Sequence, residues 1–439
     1  MAISEDLLEA YYQILSNKLH TGMDKITQSQ FKIIRRQEYQ NIIRKVNNRT
    51  YRFTRLKEIS VNNRVIYIPT IRDKLVLEYV KDRISEKYKI HYPNRNNIID
   101  SIKNKFTSDS SYYIIRLDIQ NFFPSIPQNK LLQKLKENGL LSSEEYFLVK
   151  QALKVIPKGV PQGLSISNVL AEIYLEGLDY KLKRQFPTIN YYSRYVDDIL
   201  IILNGQLKSQ EELAVKQGMM KIFDSYSLKL NSNKMKFIFF PSPKQGGISD
   251  FEYLGYKFET NNERRIYSIS QTKIDKFKSK IDACFCSYRM NCNFNLLIER
   301  LTFLLSKNVF FKREVYISKK NNVYSKQQKI YFGIIENYKL INNSFWEDID
   351  KYIKQKISYV TPLIKRDQDY RKHLKMLYSL SIRLNKEKDN TQKFHKLSKD
   401  EYIRRLLLID PTQSTNLGRL QISSISEIKK LYFKKVNIK

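Results

Sequence analysis

Two apolar runs separated by a pair of acids constrain this chain more than any other feature. Ile189-Asn190-Tyr191-Tyr192-Ser193-Arg194 and Ile199-Leu200-Ile201-Ile202-Leu203 flank Tyr195-Val196-Asp197-Asp198. Both flanks are rich in β-branched and aromatic residues, so they read as two strands joined at a tight turn that leaves both Asp side chains free. Adjacent carboxylates at such a tip repel each other unless a cation lies between them, and hard oxygen ligands suit Mg²⁺. Asp-Asp is also common in ordinary turns, because both side chains bond nearby backbone groups. The pair therefore needs a third carboxylate, on a second strand, before it implies a metal site.

Tyr112-Tyr113-Ile114-Ile115-Arg116-Leu117-Asp118-Ile119 supplies one: a strand-like run that ends in Asp118. Gln120-Asn121-Phe122-Phe123-Pro124-Ser125-Ile126 then leaves the strand and turns. Taken alone, Asp118 is equally a strand-ending acid beside a hydrophobic cluster. Between the two acidic sites runs Gly159-Val160-Pro161-Gln162-Gly163-Leu164-Ser165-Ile166-Ser167-Asn168-Val169-Leu170-Ala171. Two glycines bracket a Pro-Gln turn, where backbone can approach a ligand closely. The helix that the following residues predict would offer its first N–H groups to the same region.

In this order and spacing the three features resemble the reverse transcriptases, in particular the bacterial retron and group II intron branch. Asp118 falls on that family's first catalytic motif, Gly159 to Ala171 on its substrate loop, and Tyr195 to Asp198 on its signature hairpin. Asn62-Asn63-Arg64-Val65-Ile66-Tyr67-Ile68-Pro69-Thr70-Ile71-Arg72-Asp73-Lys74 looks like its fingers motif, and Tyr92-Pro93-Asn94-Arg95-Asn96 like a weakened form of the next. Leu228-Lys229-Leu230-Asn231-Ser232-Asn233-Lys234 matches the motif that supplies a lysine, and Phe251-Glu252-Tyr253-Leu254-Gly255-Tyr256 the primer-grip hairpin. The resemblance covers roughly residues 50 to 260 and then fades. Asn168 stands where most relatives have Pro, Glu172 where many have Asn, and the Arg95 motif lacks its usual glycine. Neither an endonuclease block nor an RNase H domain is apparent, which points to the small stand-alone bacterial enzymes, including the retron and phage-defence groups.

The resemblance implies an RNA-directed DNA polymerase using two Mg²⁺ ions, with Mn²⁺ as a substitute. Asp118 and Asp197 would hold both ions, the Ile119 carbonyl assisting and Asp198 completing the charge. Phe123 falls at the family's aromatic gate against a ribose 2′-hydroxyl, or else is core beside Phe122. Arg64 and Arg72 are candidates to grip the triphosphate of a deoxynucleotide, since guanidinium groups fork onto phosphates; a solvated hairpin face is the competing reading. Gln162 would lie under the incoming base. Lys234 would protonate pyrophosphate or be a plain surface lysine. Arg95 and Tyr195 would meet template and primer, and Leu254 and Gly255 would press the primer end toward the metals. The implied partners are deoxynucleoside triphosphates, a DNA product and an RNA template, here a dedicated structured non-coding RNA in anti-phage defence. Two alternatives stay open: untemplated or protein-primed synthesis by the same site, for which the 31 tyrosines offer hydroxyls, and a non-catalytic RNA-binding protein on the same fold.

Composition agrees. A formal charge of +34 suits a chain that binds a phosphate backbone, although an AT-rich genome accounts for part of the lysine. No apolar run approaches membrane-spanning length and the start carries no signal pattern, so the expectation is a cytoplasmic protein away from membranes. Cys284, Cys286 and Cys292 fit neither paired bridges nor a zinc site and read as free thiols. Whether copies associate into a homo-oligomer is left open. The expected fold class is α+β, a right-hand polymerase: N-terminal helices and fingers over residues 1–105, a palm with an antiparallel sheet over 106–260, a helical thumb over 261–362, and a basic helical extension over 363–439. Lys319-Lys320-Asn321-Asn322 is an expected turn, Tyr331 to Val360 reads as helical with Trp346 in the core, and Thr361-Pro362 is a candidate boundary.

Overall fold

Tyr112–Asp118 is apolar on both faces, with five of its first six residues buried, which is the pattern of a central strand. In the computed structural model it lies between Asp198–Asn204 and Lys236–Phe240, and Ile189–Tyr195 closes the far edge of the four-stranded sheet. All three pairings are antiparallel. Side chains alternate across a strand. Ile115 and Leu117, with Ile199 and Ile201 of the neighbouring strand, therefore bury one face against Leu170 and Ile173 of the helix Ser167–Tyr174 and Ile222 and Phe223 of the helix Ser209–Ser225. Truncating a fully buried residue such as Ile115 to Ala should cost about 2–5 kcal/mol. Asp118 pairs in register with Asp198, so both project from the opposite face at one end of the sheet.

The structure describes residues 3–15, 19–61, 64–106, 109–317 and 323–437. Asn62-Asn63, at the start of the fingers motif, and the turn expected at Lys319-Lys320-Asn321-Asn322 lie outside the described residues. The chain divides into two compact units: Met1–Ser249 with Thr260–Arg264 and Arg313–Lys326, and Asp250–Glu259 with Arg265–Lys312 and Gln327–Lys439. The fold class is α+β, as expected.

In the first unit the helices Glu5–Leu15, Gln28–Asn47 and Ile71–Lys87 pack into the same core as the sheet. Thr27 and Gln30 form a capping box that starts the second of them. Lys57–Val61 and Arg64–Ile68 form an antiparallel hairpin, with Val61 opposite Arg64.

The second unit holds the three-stranded sheet of Ser249–Tyr253, Tyr256–Thr260 and Arg265–Ile269. The helices Gln271–Asn291 and Phe294–Leu305 follow. Three expectations are corrected here. The stretch expected as purely helical contains the strands Lys307–Ile317 and Val323–Phe332, so Tyr331 and Phe332 are extended. Their sequences place β-branched and aromatic residues among lysines and arginines, a strand composition. Thr361-Pro362 is no boundary, because the helix Asn343–Ile364 runs through it; Pro362 falls in the last turn, where the hydrogen bond it removes is one of few remaining. The basic C-terminal stretch is not an appendage: Tyr402, Leu406, Ile428, Tyr432 and Val436 share a core with Leu296 of the helix Phe294–Leu305. Trp346 is fully buried, as expected. All three cysteines are free.

Candidate active site

The hairpin that carries the two acids turns through only Val196 and Asp197, since Tyr195 and Asp198 are paired in register. Val196 takes φ +61, a left-handed conformation that a β-branched residue adopts only under strain of about 1–2 kcal/mol. Such strain persists where surrounding structure enforces it, and Val196 packs against the main core. The turn sets Asp197 beside the end of the central strand, where its neighbours include Asp118, Lys234 and Arg64.

Two cations attend the carboxylates. Lys234 Nζ lies 3.0 and 3.2 Å from the two oxygens of Asp118, and Asn231 Nδ2 adds a longer bond at 3.4 Å. Arg116 forks onto Asp198, Nε to Oδ1 and Nη2 to Oδ2, both at 3.2 Å. Arg116 precedes Asp118 by two on the same strand, so it shares the Asp118 face and sits diagonally from Asp198 across the pairing. Sequence reading missed this residue. Period-two alternation places Arg116 on the face of Asp118, but only the register reveals Asp198 as its neighbour.

Burial pushes the Asp197 carboxyl above the ordinary Asp range; the charge of Asp118 adds to this, while Lys234 and Arg64 oppose it. Burial also raises Asp198, against the lowering influence of Arg116. Partly dehydrated acids of like charge are what a divalent cation stabilises, and an all-oxygen donor set suits Mg²⁺. The residues therefore fit the metal that the sequence implies. Among the described residues, only Asp367, Asp369 and His373 bring three ligand atoms within 4.8 Å of one another. That group lies in the second unit, with His373 stacked on Phe294 at 3.7 Å. Ile119 follows the sheet: Gln120 N–H donates to Lys229 O and Asn231 N–H to Asp118 O, which leaves the Ile119 carbonyl out of that bridge.

The loop from Gly159 to Gly163 is docked on both sides. Val160 N–H donates to the Phe123 carbonyl at 2.9 Å, and a Cβ on Gly159 would come within 2.5 Å of that carbonyl and of Pro124. Tyr67 N–H, on the Arg64–Ile68 strand, donates to the Gln162 carbonyl at 3.0 Å. A Cβ on Gly163 would come within 2.6 Å of Ile66. Gln162 and the hairpin that carries Arg64 are thus fixed to each other. Phe122 is the buried member of its pair and Phe123 is only half-buried, their ring centroids 5.2 Å apart. Beside the hairpin a cavity of about 300 Å³ is lined by Tyr195, Val196, Ser165, Asn168 and Glu172.

The other expected residues have these surroundings. The Arg72 guanidinium donates to buried Asp73 at 3.1 Å and to Thr54 at 2.9 Å, and it covers the Tyr51 ring. Arg194, on the strand Ile189–Tyr195, is clamped by Glu172 at 2.9 and 3.0 Å and by Asp179 at 2.8 and 3.2 Å. This explains Glu172, which brings the counter-charge that Arg194 needs under the hairpin strand. Arg95 opens the helix Arg95–Lys105. Leu254 and Gly255 form the two-residue turn between Ser249–Tyr253 and Tyr256–Thr260, at φ +48 and +81, in the second unit.

Residues 55–258 match the family described as reverse transcriptase (RNA-dependent DNA polymerase). The retron Se72 reverse transcriptase of Salmonella heidelberg is 29% identical over 136 residues, 31% of this chain and 36% of that protein. The retron Ec83 reverse transcriptase of Escherichia coli is 24% identical over 205 residues, 43% and 64% of the two chains. A putative COX1/OXI3 intron 2 protein of Saccharomyces cerevisiae is 23% identical over 258 residues, 52% and 30%. The matches thus span between 30% and 64% of these relatives' lengths. Among solved structures, a telomerase from Candida albicans with a fragment of telomeric RNA gives a TM-score of 0.39 at 13% identity, covering 90% of this chain and 69% of that one.

Proposed function

We propose that this chain, whose residues 55–258 match the reverse transcriptase family and resemble retron and intron proteins, extends DNA on an RNA template. One observation supports this most: Asp118, Asp197 and Asp198 lie at the same end of an antiparallel sheet, through a register that no local pattern sets. In this reading Asp118 and Asp197 hold two Mg²⁺ ions, with the Ile119 carbonyl beside them. Bound there, the ions supply the charge that activates a primer 3′-hydroxyl and balances the leaving pyrophosphate.

The chain's own residues do the rest. Arg116 keeps the Asp198 carboxylate turned to one side and ionised. Lys234, on the surface beside Asp118, gives a proton to the leaving pyrophosphate in this reading. Arg64, at the end of a hairpin tied to the Gln162 loop, takes the triphosphate, and Gln162 lies under the incoming base. Half-buried Phe123 bars the 2′-hydroxyl. Tyr195 and Arg95 meet template and primer, and the Leu254-Gly255 turn bears on the primer end. Residues 1–105, 106–260 and 261–362 then act as fingers, palm and thumb. The template is a dedicated structured RNA, which the retron relatives and the +34 charge support. The setting is anti-phage defence in the bacterial cytoplasm.

The test is incorporation of deoxynucleotides on a primed RNA template. Asp197→Asn with Asp198→Asn should reduce it to background while circular dichroism stays unchanged. Retained activity in that variant removes this reading.

A further inference from the structure

Within the second unit a cavity of about 380 Å³ opens between the helix Gln271–Asn291, the end of the helix Phe294–Leu305 and the Phe332-Gly333 turn. Its size is that of a small-molecule site. One wall is a row of lysines. Lys273, Lys276 and Lys280 recur at helical spacing on one face, and among the described residues none of them is in an ion pair. The other wall is aromatic: Phe303 and Phe332 line it, and Phe332 is 46% exposed.

Asn308, also lining the cavity, is 1% exposed. Its Nδ2 donates to the carbonyls of Phe303 at 2.9 Å and Ser306 at 3.3 Å, which fixes the orientation of the carboxamide. Its Oδ1 is buried, and among the described residues nothing donates a hydrogen bond to it. A buried acceptor without a donor costs about 1–3 kcal/mol and calls for an explanation, a ligand being one. Gly333 packs closely against this strand end. At φ +118, a Cβ on it would come within 2.5 Å of the Ser306 carbonyl and 3.5 Å of Asn308 Nδ2, so only glycine allows this approach.

An acceptor that lacks a donor, flat apolar walls and a row of unpaired cations together match one ligand chemistry: a planar base with an N–H donor, joined to phosphate. We propose that this cavity binds a nucleotide, its base against Phe303 and Phe332 with an N–H on Asn308 Oδ1, and its phosphate on Lys273, Lys276 and Lys280. The nucleotide is either free or an unpaired position of a single strand. The cavity shares no residue with the polymerase site, so the inference stands apart from the proposed function.

The experiment uses the full chain carrying Asp197→Asn and Asp198→Asn, without divalent metal, so that no synthesis contributes. Binding of ATP, GTP, CTP and UTP, and of short single-stranded RNA containing 4-thiouridine, is measured with and without Lys273→Glu/Lys276→Glu and with Phe332→Ala. Both changes fall on exposed side chains, and unchanged thermal melting confirms the fold. Each should weaken binding roughly tenfold or more. The lysine variant should also flatten the dependence of log affinity on log salt by about 0.7 per lysine removed. Saturable binding of a mononucleotide that both variants weaken identifies a free nucleotide. Binding of RNA alone, with photocrosslinks at Phe303 or Phe332, identifies a position in a strand. Equal affinity in all variants, or crosslinks confined to residues outside the cavity, overturns the proposal.

Discussion

Two groups of cations, one in each unit, have different surroundings, although in the sequence they look alike. In the first, Arg116 is forked onto Asp198, Lys234 sits on Asp118, Arg194 is clamped by Glu172 and Asp179, and Arg72 is tied to buried Asp73. In the second, Lys273, Lys276 and Lys280 line a cavity, and among the described residues none is in an ion pair. Net charge therefore locates nothing by itself. Around Asp118 and Asp198, positive charge balances negative charge that folding has partly dehydrated. The surplus that a phosphate can use lies where no acid answers it.

The sharpest test of this difference is Arg116→Met. It leaves Asp198 partly buried and unanswered, which should cost about 1–3 kcal/mol and show as a lower melting temperature in chelator. Added Mg²⁺ should recover part of the loss. Lys273→Met should change stability by no more than about 0.5 kcal/mol. Equal losses in the two variants would erase the distinction.

A smaller effect follows from pH. Burial raises the carboxyls of Asp197 and Asp198 above their ordinary values. A raised folded value means that the folded chain takes up these protons more readily than the unfolded one. The penalty for their ionised forms is thus present above the folded values and relieved as pH falls through them. The stabilisation conferred by Mg²⁺ on the full chain should accordingly shrink on the acid side, at a higher pH than ordinary aspartates would give. Melting scans with and without Mg²⁺ across mildly acid pH measure this, and Asp197→Asn/Asp198→Asn should abolish the trend. Nucleotide binding at the Lys273 cavity should not follow it.

The smallest effect concerns the two turns, one in each unit, that place an apolar residue at positive φ: Val196 at +61 and Leu254 at +48. Glycine at either position relieves strain of about 1–2 kcal/mol, offset by about 0.5–1 kcal/mol of extra unfolded-state entropy and by lost packing. The expected change in melting temperature is near zero or slightly upward. A loss of more than about 2 kcal/mol would show that the side chain's packing outweighs the backbone strain in that turn.

Sequence alone determined the elements that rest on local pattern. The alternation around Asp118 and around Tyr195 to Asp198 marked the strands and their acids, and the glycines marked the loop that docks on Phe123. These are legible because a strand period, a turn and a glycine's freedom are properties of neighbouring residues. Side-chain partners were not. Arg116 meets Asp198 and Glu172 meets Arg194 through pairings between segments distant in sequence, and among the described residues the Asn308 oxygen meets no donor. The strands at Lys307–Ile317 and Val323–Phe332 were masked by the helical stretches beside them, and the C-terminal helices gave no local sign that they share a core with Leu296. A charge is visible in one residue; whether it is balanced depends on what the tertiary structure brings next to it.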